Sequence, residues 1–332
     1  MDTEPEELQF LGIVGIFREA QKILLSWRKI FSGIALWLVL PLSLIFLLHI
    51  EISDLIFSKI NHNEQALEDA PVGSRTEDRL LNRLASEWTS YVAFKAAYLV
   101  LVLVLSLLST SAVVYTVACV YTAKEVTFRK VLTVVPKVWR RLLVTFLWSF
   151  AILFAYNTFS FLLLVLALLL VGTGGGGIAA LVFYIPAYLA GLVYISVIWH
   201  LASVISVLED TNGLAAMQKS KALIQGKAWV ASGIFLFFHL SFFAIEVSFS
   251  QLVAHGRAPG VLSRIGYSAL LLSLMSLLVL AALVVQTIVY FVCKSFHHES
   301  IDKSSLADHL EVYLGEYTPL KGRDVQLQQF DI

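Results

Sequence analysis

Cysteine is nearly absent: Cys119 and Cys293 are the two in 332 residues, and both sit in apolar runs. Two such thiols exclude a disulfide scaffold and a thiolate metal cluster. Charge is scarce as well. Asp, Glu, Lys and Arg make up 14% of the chain, whereas a water-facing domain carries about a quarter. The 24 basic and 24 acidic residues cancel, which leaves no electrostatic footprint for a nucleic acid. No H-E-x-x-H, G-x-S-x-G or P-loop pattern occurs, so the common carriers of hydrolytic and phosphoryl chemistry are missing. There is no N-x-[ST] glycosylation acceptor. No cleavable signal peptide is expected either: the first apolar run begins near residue 31, is too long for a signal, and lacks an A-x-A-like cleavage site.

What the chain has is hydrophobicity. Residues of the AVILMFWYC set make up 58% and the mean hydropathy is +0.79. Six runs, about 31–50, 96–121, 142–171, 178–207, 230–254 and 268–292, are each long enough to cross a hydrocarbon core of about 30 Å. In lipid every backbone N–H and C=O must be satisfied internally, and these long runs lack barrel-strand alternation, so each is expected to be a helix. The fold class is therefore all-α: a polytopic membrane protein with six transmembrane helices. The expected layout is a cytosolic N-terminal segment (1–30), a six-helix membrane domain (31–292) and a cytosolic tail (293–332). Seventeen Lys and Arg residues fall on the side of the termini and seven on the other, which puts both termini in the cytosol. Pro41 and Pro186 are expected to kink the first and fourth spans. The longest outside connection is 51–92. The glycine-rich 172–177 segment reads as a tight turn, since it has neither the Lys-[ST] nor the strand–helix context of a phosphate cradle.

A unit recurs. Ile13, Ile16, Phe17, Ala20, Leu24 and Trp27 fall on one helical face before the first span, against Arg18, Lys22 and Arg28. Phe128, Val131, Leu132, Val135 and Trp139 do so before the third span, and Ala216, Met217, Ser220, Leu223 and Ile224 before the fifth. Each segment ends in a Trp with basic neighbours, which suits an amphipathic helix in an anionic headgroup layer. The reading is three amphipathic interfacial helices, each followed by two spans, with Pro136 interrupting the second. Arg28, Lys29, Arg129, Lys130, Arg140 and Arg141 are the candidate headgroup contacts. The expected partners are the lipid bilayer, its anionic headgroups and a protein partner of unspecified identity.

The stretch from Val207 through Glu209, Gly213, Ala216, Ser220 and Leu223 to Gly226 looks like an E-x-x-G-x-x-A-x-x-x-S-x-x-L-x-x-G segment, matching its spacing from Gly213 onward and having one more residue between Glu209 and Gly213. It resembles a segment of a broad group of six-helix membrane proteins. That group includes the membrane domain joined to some bacterial glycerophosphoryl diester phosphodiesterases and a family of uncharacterised plant transmembrane proteins. The overall plan and the FLGIVGIFREAQKIL stretch resemble the plant group more. The resemblance implies a six-helix membrane domain in an endomembrane (endoplasmic reticulum) or plasma membrane of a plant cell. The phosphodiesterase activity belongs to a separate soluble domain, so no catalytic residue is carried over. Physically, Asp210 or Thr211 is placed to cap the helix that follows, and Gly213, Ala216 and Ser220 to permit close packing. Gly226 is placed to end that helix.

Ionisable and amide side chains inside spans are costly and so are candidates for function. Glu246 and His239 lie two turns apart on one face of the fifth span. His200 lies in the fourth span, Asn157 in the third and Gln286 in the sixth, and together these five form the candidate intramembrane polar site. His297-His298, just past the last span, lacks the further spaced ligands that a metal site needs. No cofactor and no metal is implied. The leading functional reading is a non-enzymatic scaffold, lipid-organising or accessory protein. The rival is a small-solute or lipid transporter using Glu246 and His239, and an intramembrane enzyme comes third.

Overall fold

The structure, a computed structural model, describes residues 7–70, 74–122, 128–172, 174–256 and 260–297. The described residues are almost wholly helical and contain no strand. After a short 3-10 turn, Glu7–Phe10, come α1 (Ile13–Ser26), α2 (Arg28–Ile34) and, beyond a π-turn at Ala35–Val39, α3 (Leu40–Glu68). They are followed by α4 (Arg75–Tyr121), α5 (Phe128–Val171), α6 (Gly175–Leu208) and α7 (Gly213–Ile224). Then α8 (Ala228–Phe249) runs through a second π-turn, Ser250–Ala254, and α9 (Val261–Phe296) closes the order.

Six of these helices are long and apolar enough to span a membrane, with α2, the π-turn and α3 acting as one. The chain is a multi-pass integral membrane protein. Phe154, Leu169, Leu170 and Phe183 are at least three-quarters exposed, an arrangement that water would not tolerate over so large an area but lipid requires. Burial concentrates toward one end of the bundle, at Ala112–Val120 of α4, Leu201–Leu208 of α6 and Val284–Cys293 of α9. In the first two stretches Ala112, Thr116, Ala118, Ala202, Ser203 and Ser206 are small residues that let helix backbones approach closely where lipid supplies no hydrophobic drive. We call this the terminal face, because the N-terminal elements pack there against α9.

The prolines act differently from one another. Pro41 cannot donate to the carbonyl of Trp37, and the helix widens into the π-turn just before it. Pro136 and Pro186 sit inside helices that continue. The expected interruption at Pro136 therefore does not occur, and the second presumed interfacial segment is the start of α5, continuous with its span. The 51–92 segment is also not an irregular loop. α3 and α4 run on as an antiparallel helical pair, where Asn63 Nδ2 donates to both Glu87 carboxylate oxygens at 2.9 and 2.8 Å. Nearer the bundle, Lys95 Nζ donates to His49 Nε2 at 2.6 Å and to Ser53 Oγ at 3.1 Å.

Two of the three repeat units match in detail. The residue joining α1 to α2, Trp27, has φ −110° and ψ 30°, and the one joining α7 to α8, Lys227, has φ −119° and ψ 10°. Each short helix leans on the spans of another unit: α1 on α8 and α9, α7 on α5 and α6. In the remaining unit, Val131, Val135, Val138 and Leu142 form a buried stripe along the start of α5, which packs on α4 and touches α2. The result is a cyclic closure of the three units. The apolar faces expected to meet lipid are turned into the bundle, with Ile16, Ala20 and Ile23 of α1 and Ala216, Leu223 and Ile224 of α7 buried.

Candidate functional site: a polar centre beneath a charged clasp

The convergence of α6, α8 and α9 places two histidines and a glutamine together inside the bundle. His200 on α6 donates from Nδ1 to Gln286 Oε1 on α9 at 2.8 Å. Its ring is stacked on Phe235 of α8, with centroids 4.6 Å apart and planes 6° from parallel. His239 lies 6.2 Å from it, centroid to centroid. His239 Nδ1 donates to the Phe235 carbonyl at 2.6 Å, which leaves Nε2 to accept from Ser196 Oγ at 3.1 Å. A carbonyl only accepts, so this pairing fixes the neutral tautomer. Such pairing is what permits polar rings at this depth.

The other two expected members stand apart. Glu246 is exposed on the outer surface of α8, with Tyr98 in electrostatic reach, so two helical turns do not bring it into the polar centre with His239. Asn157 belongs to a tyrosine ladder between α5 and α6. There it donates to the Leu153 carbonyl at 2.8 Å and accepts from Tyr188 at 2.6 Å. Tyr156 donates to the Tyr188 carbonyl at 2.9 Å, and Tyr184 to the Ser160 carbonyl at 2.9 Å. These tyrosines carry no motif, and their meeting depends on how α5 and α6 cross.

Next to His200 and Gln286 is a cavity of about 170 Å³ to which all six spans contribute. Ser109 of α4 lines it and is fully buried, and Gln286 is 2% exposed. Neither Ser109 Oγ nor Gln286 Nε2 has a hydrogen-bond partner among the described residues. Ser109 was not legible as a site residue: it is one serine in a run of small residues.

The motif at the start of α7 forms a clasp over this centre. Glu209 receives Lys219 Nζ of α7 on Oε2 at 2.7 Å, and Lys294 Nζ and the Tyr290 hydroxyl of α9 on Oε1 at 3.0 and 2.6 Å. Burial by itself would raise the Glu209 carboxyl, but the hydrogen bonds from Lys219 and Tyr290 and the charge of Lys294 outweigh it. Its pKa is held below the ordinary value. Gly213, with φ +60°, donates its N–H to Thr145 Oγ1 at 2.8 Å, and Thr145 also meets Ser206 Oγ at 2.6 Å. Ser220 donates to the Ile198 carbonyl at 2.8 Å, so α7 runs back antiparallel to the end of α6. Gly226, with φ +88°, follows the end of α7, and His297 Nε2 donates to the carbonyls of Leu223 and Gln225 at 3.1 and 3.0 Å. These contacts close the C-terminal end of α7.

The expected cap does not form. The residue before α7 is Asn212, and no side chain caps the helix; Asp210 instead binds Arg141 of α5, and Thr211 Oγ1 is buried without a hydrogen-bond partner among the described residues. Of the basic candidates for headgroups, Arg28, Lys29 and Arg140 are exposed, while Arg141 is engaged with Asp210. The side chains of Arg129 and Lys130, like His298, lie outside the described residues.

At the opposite end, α3, α8 and α9 frame a groove of about 560 Å³. Leu44, Leu47, Leu48, Phe249 and Leu272 form its wall, with Glu51 and Arg264 set into it. Arg264 Nη2 donates to the Val253 carbonyl in the π-turn at 2.7 Å and lies 4.0 Å from Glu51, while its Nε is buried with no hydrogen-bond partner among the described residues.

No curated protein and no solved structure matches the chain. Residues 1–330 match the family model described as a domain of unknown function, DUF8558, and the chain belongs to that family.

Proposed function

We propose that this is a non-enzymatic, lipid-organising membrane protein that seats a phospholipid in the groove between α3, α8 and α9. The carrying observation is the pairing, in one groove, of an apolar wall with Arg264, whose buried Nε has no hydrogen-bond partner among the described residues. An acyl chain would lie on the leucines and a phosphate oxygen would accept from the guanidinium. A volume of about 560 Å³ is within the roughly 300–1,000 Å³ common for ligand sites. The absence of catalytic motifs supports a non-enzymatic role, as do the neutral hydrogen-bond partners of His200 and His239.

In this reading both termini are cytosolic, as the Lys and Arg excess on the terminal face favours, and the groove opens in the far leaflet. Amphipathic α1 and α7, with exposed Arg28 and Lys29 at the start of α2, lie at the anionic cytosolic surface. The resemblance to plant six-helix proteins favours an endomembrane or the plasma membrane. The test is native mass spectrometry of the full chain from mild detergent. Retained phospholipid, reduced severalfold by Arg264→Gln, is expected; no retained lipid, or retention indifferent to that change, overturns the reading.

A small-solute transporter is the second reading, favoured by the His200–Gln286 pair beside a cavity. Glu246 would play no part in it, since it faces away from that centre.

A further inference from the structure

The central cavity raises a question separate from the lipid groove: what fills it. Leu42 of α3, Ser109 of α4, Phe146 of α5, His200 of α6, Phe242 of α8 and Gln286 of α9 all reach it. Its polar lining is largely self-satisfied. Ser106 and Ser203 donate to carbonyls of their own helices at 2.9 and 2.7 Å, and His200 holds Gln286 Oε1. Of the fully buried polar atoms in this lining, the Gln286 Nε2–H and the Ser109 hydroxyl have no hydrogen-bond partner among the described residues.

Water fits this poorly. A volume of about 170 Å³ corresponds to about six waters at roughly 30 Å³ each, and each buried water needs two to four polar partners. The wall is mostly apolar, with Leu42, Phe146, Phe242, Val279, Ala282 and Leu283, so its few polar groups satisfy only some of them. An empty space would forfeit dispersion contacts around its whole wall. A charged occupant would be desolvated with no counter-ion, since no residue lining the cavity carries a formal charge at neutral pH unless His200 is protonated. An engineered apolar cavity of about 150 Å³ takes up benzene, which sets the scale of the body that fits.

We infer that this cavity is a binding site for a neutral, ring-sized, mainly apolar molecule carrying one hydrogen-bond acceptor, such as a ketone, held by Gln286 Nε2 and Ser109 Oγ. Such a ligand enters from the bilayer, where it partitions, and its apolar body meets Phe146, Trp199 and Phe242. The acceptor gives specificity, because without it both donors stay unpaired.

The test uses the full chain in phospholipid nanodiscs and a cyclohexanone bearing an alkyl diazirine, with crosslinks mapped by peptide mass spectrometry. Saturable labelling is expected in segments 103–110, 196–203 and 279–286. Unlabelled cyclohexanone should displace it at roughly tenfold lower concentration than methylenecyclohexane, which has the same shape without the acceptor. Ser109→Ala and Gln286→Met should each weaken the ketone by about fivefold and leave methylenecyclohexane unchanged. Should Gln286→Met not fold, Ser109→Ala decides alone, since it removes a single oxygen. Arg264→Gln, on which the lipid reading depends, should leave the labelling intact. Equal displacement by the two competitors, or no saturable labelling of these segments because water alone fills the cavity, overturns the inference.

Discussion

At the residue scale, two motif positions hold the terminal face together by different physics. Gly226 adopts φ +88°, and a methyl added there runs into the Phe296 ring. Gly226→Ala should therefore lower stability by the left-handed backbone cost, about 1–2 kcal/mol, plus a steric cost. Thermal unfolding in detergent should show the double variant with Phe296→Ala recovering only the steric part relative to Phe296→Ala alone. Glu209 acts through charge. Its folded pKa lies below its unfolded value, so its contribution is present above the unfolded pKa and is lost as pH falls through the folded one. A pH series of unfolding temperatures should show that acid loss in the parent and a flatter profile in Glu209→Gln. At neutral pH that variant should be less stable by about 2 kcal/mol, from lost hydrogen bonds to a charged group. Glu246 makes the contrast. It is exposed on α8, so Glu246→Leu strands no buried partner and should leave stability within about 0.5 kcal/mol of the parent.

At the element scale, length decides. α4 has 47 residues, about 70 Å at 1.5 Å per residue, more than twice a hydrocarbon core of about 30 Å. Its first half, with Glu77, Asp78, Arg79 and Arg83, must stand outside lipid and is paired there with the end of α3. Asn63 bridging to Glu87 pins the pair. Asn63→Ala should speed amide hydrogen exchange in 55–68 and 76–90 and leave 196–208 unchanged; equal exchange in both regions would mean that the hairpin opens only with the whole bundle. The hydropathy pattern located the apolar halves of these helices but not their polar extensions, because alternating charge reads equally as a loop. Pro136 misleads for a related reason. A missing N–H breaks a water-exposed helix more readily than one whose neighbours and continuing span hold its direction.

At the scale of the whole molecule, an even number of spans places the two ends of the chain on one side. Tags at residues 1 and 332 should share protease access in sealed vesicles, and a tag in the α3–α4 connection should show the opposite access. N- and C-terminal tags on opposite sides would mean that one of the six helices does not cross. The cyclic packing of α1 on α8 and α9, and of α7 on α5 and α6, also makes the bundle a closed unit. A chain cut between α4 and α5 would leave both halves with unpartnered buried stripes.

The sequence by itself determined the solvent and the six long apolar helices, and it located the short helix that precedes the spans in two of the three units. Roughly twenty apolar residues in a row have one solution in lipid, and Trp with basic neighbours stands where α1 and α7 meet the helices that follow them. The resemblance to other six-helix membrane proteins marked Glu209, Gly213, Ala216, Ser220 and Gly226. Which polar groups meet was left to the tertiary structure. His239 and Glu246 are two turns apart on α8, yet only His239 reaches Ser196 and the His200–Gln286 pair, because face and depth are set by the angles at which α6, α8 and α9 cross. Ser109, Tyr188, Lys219 and Tyr290 gained their roles in the same way. Helical periodicity fixes direction along one axis, and only packing against the other five spans fixes what each side chain touches.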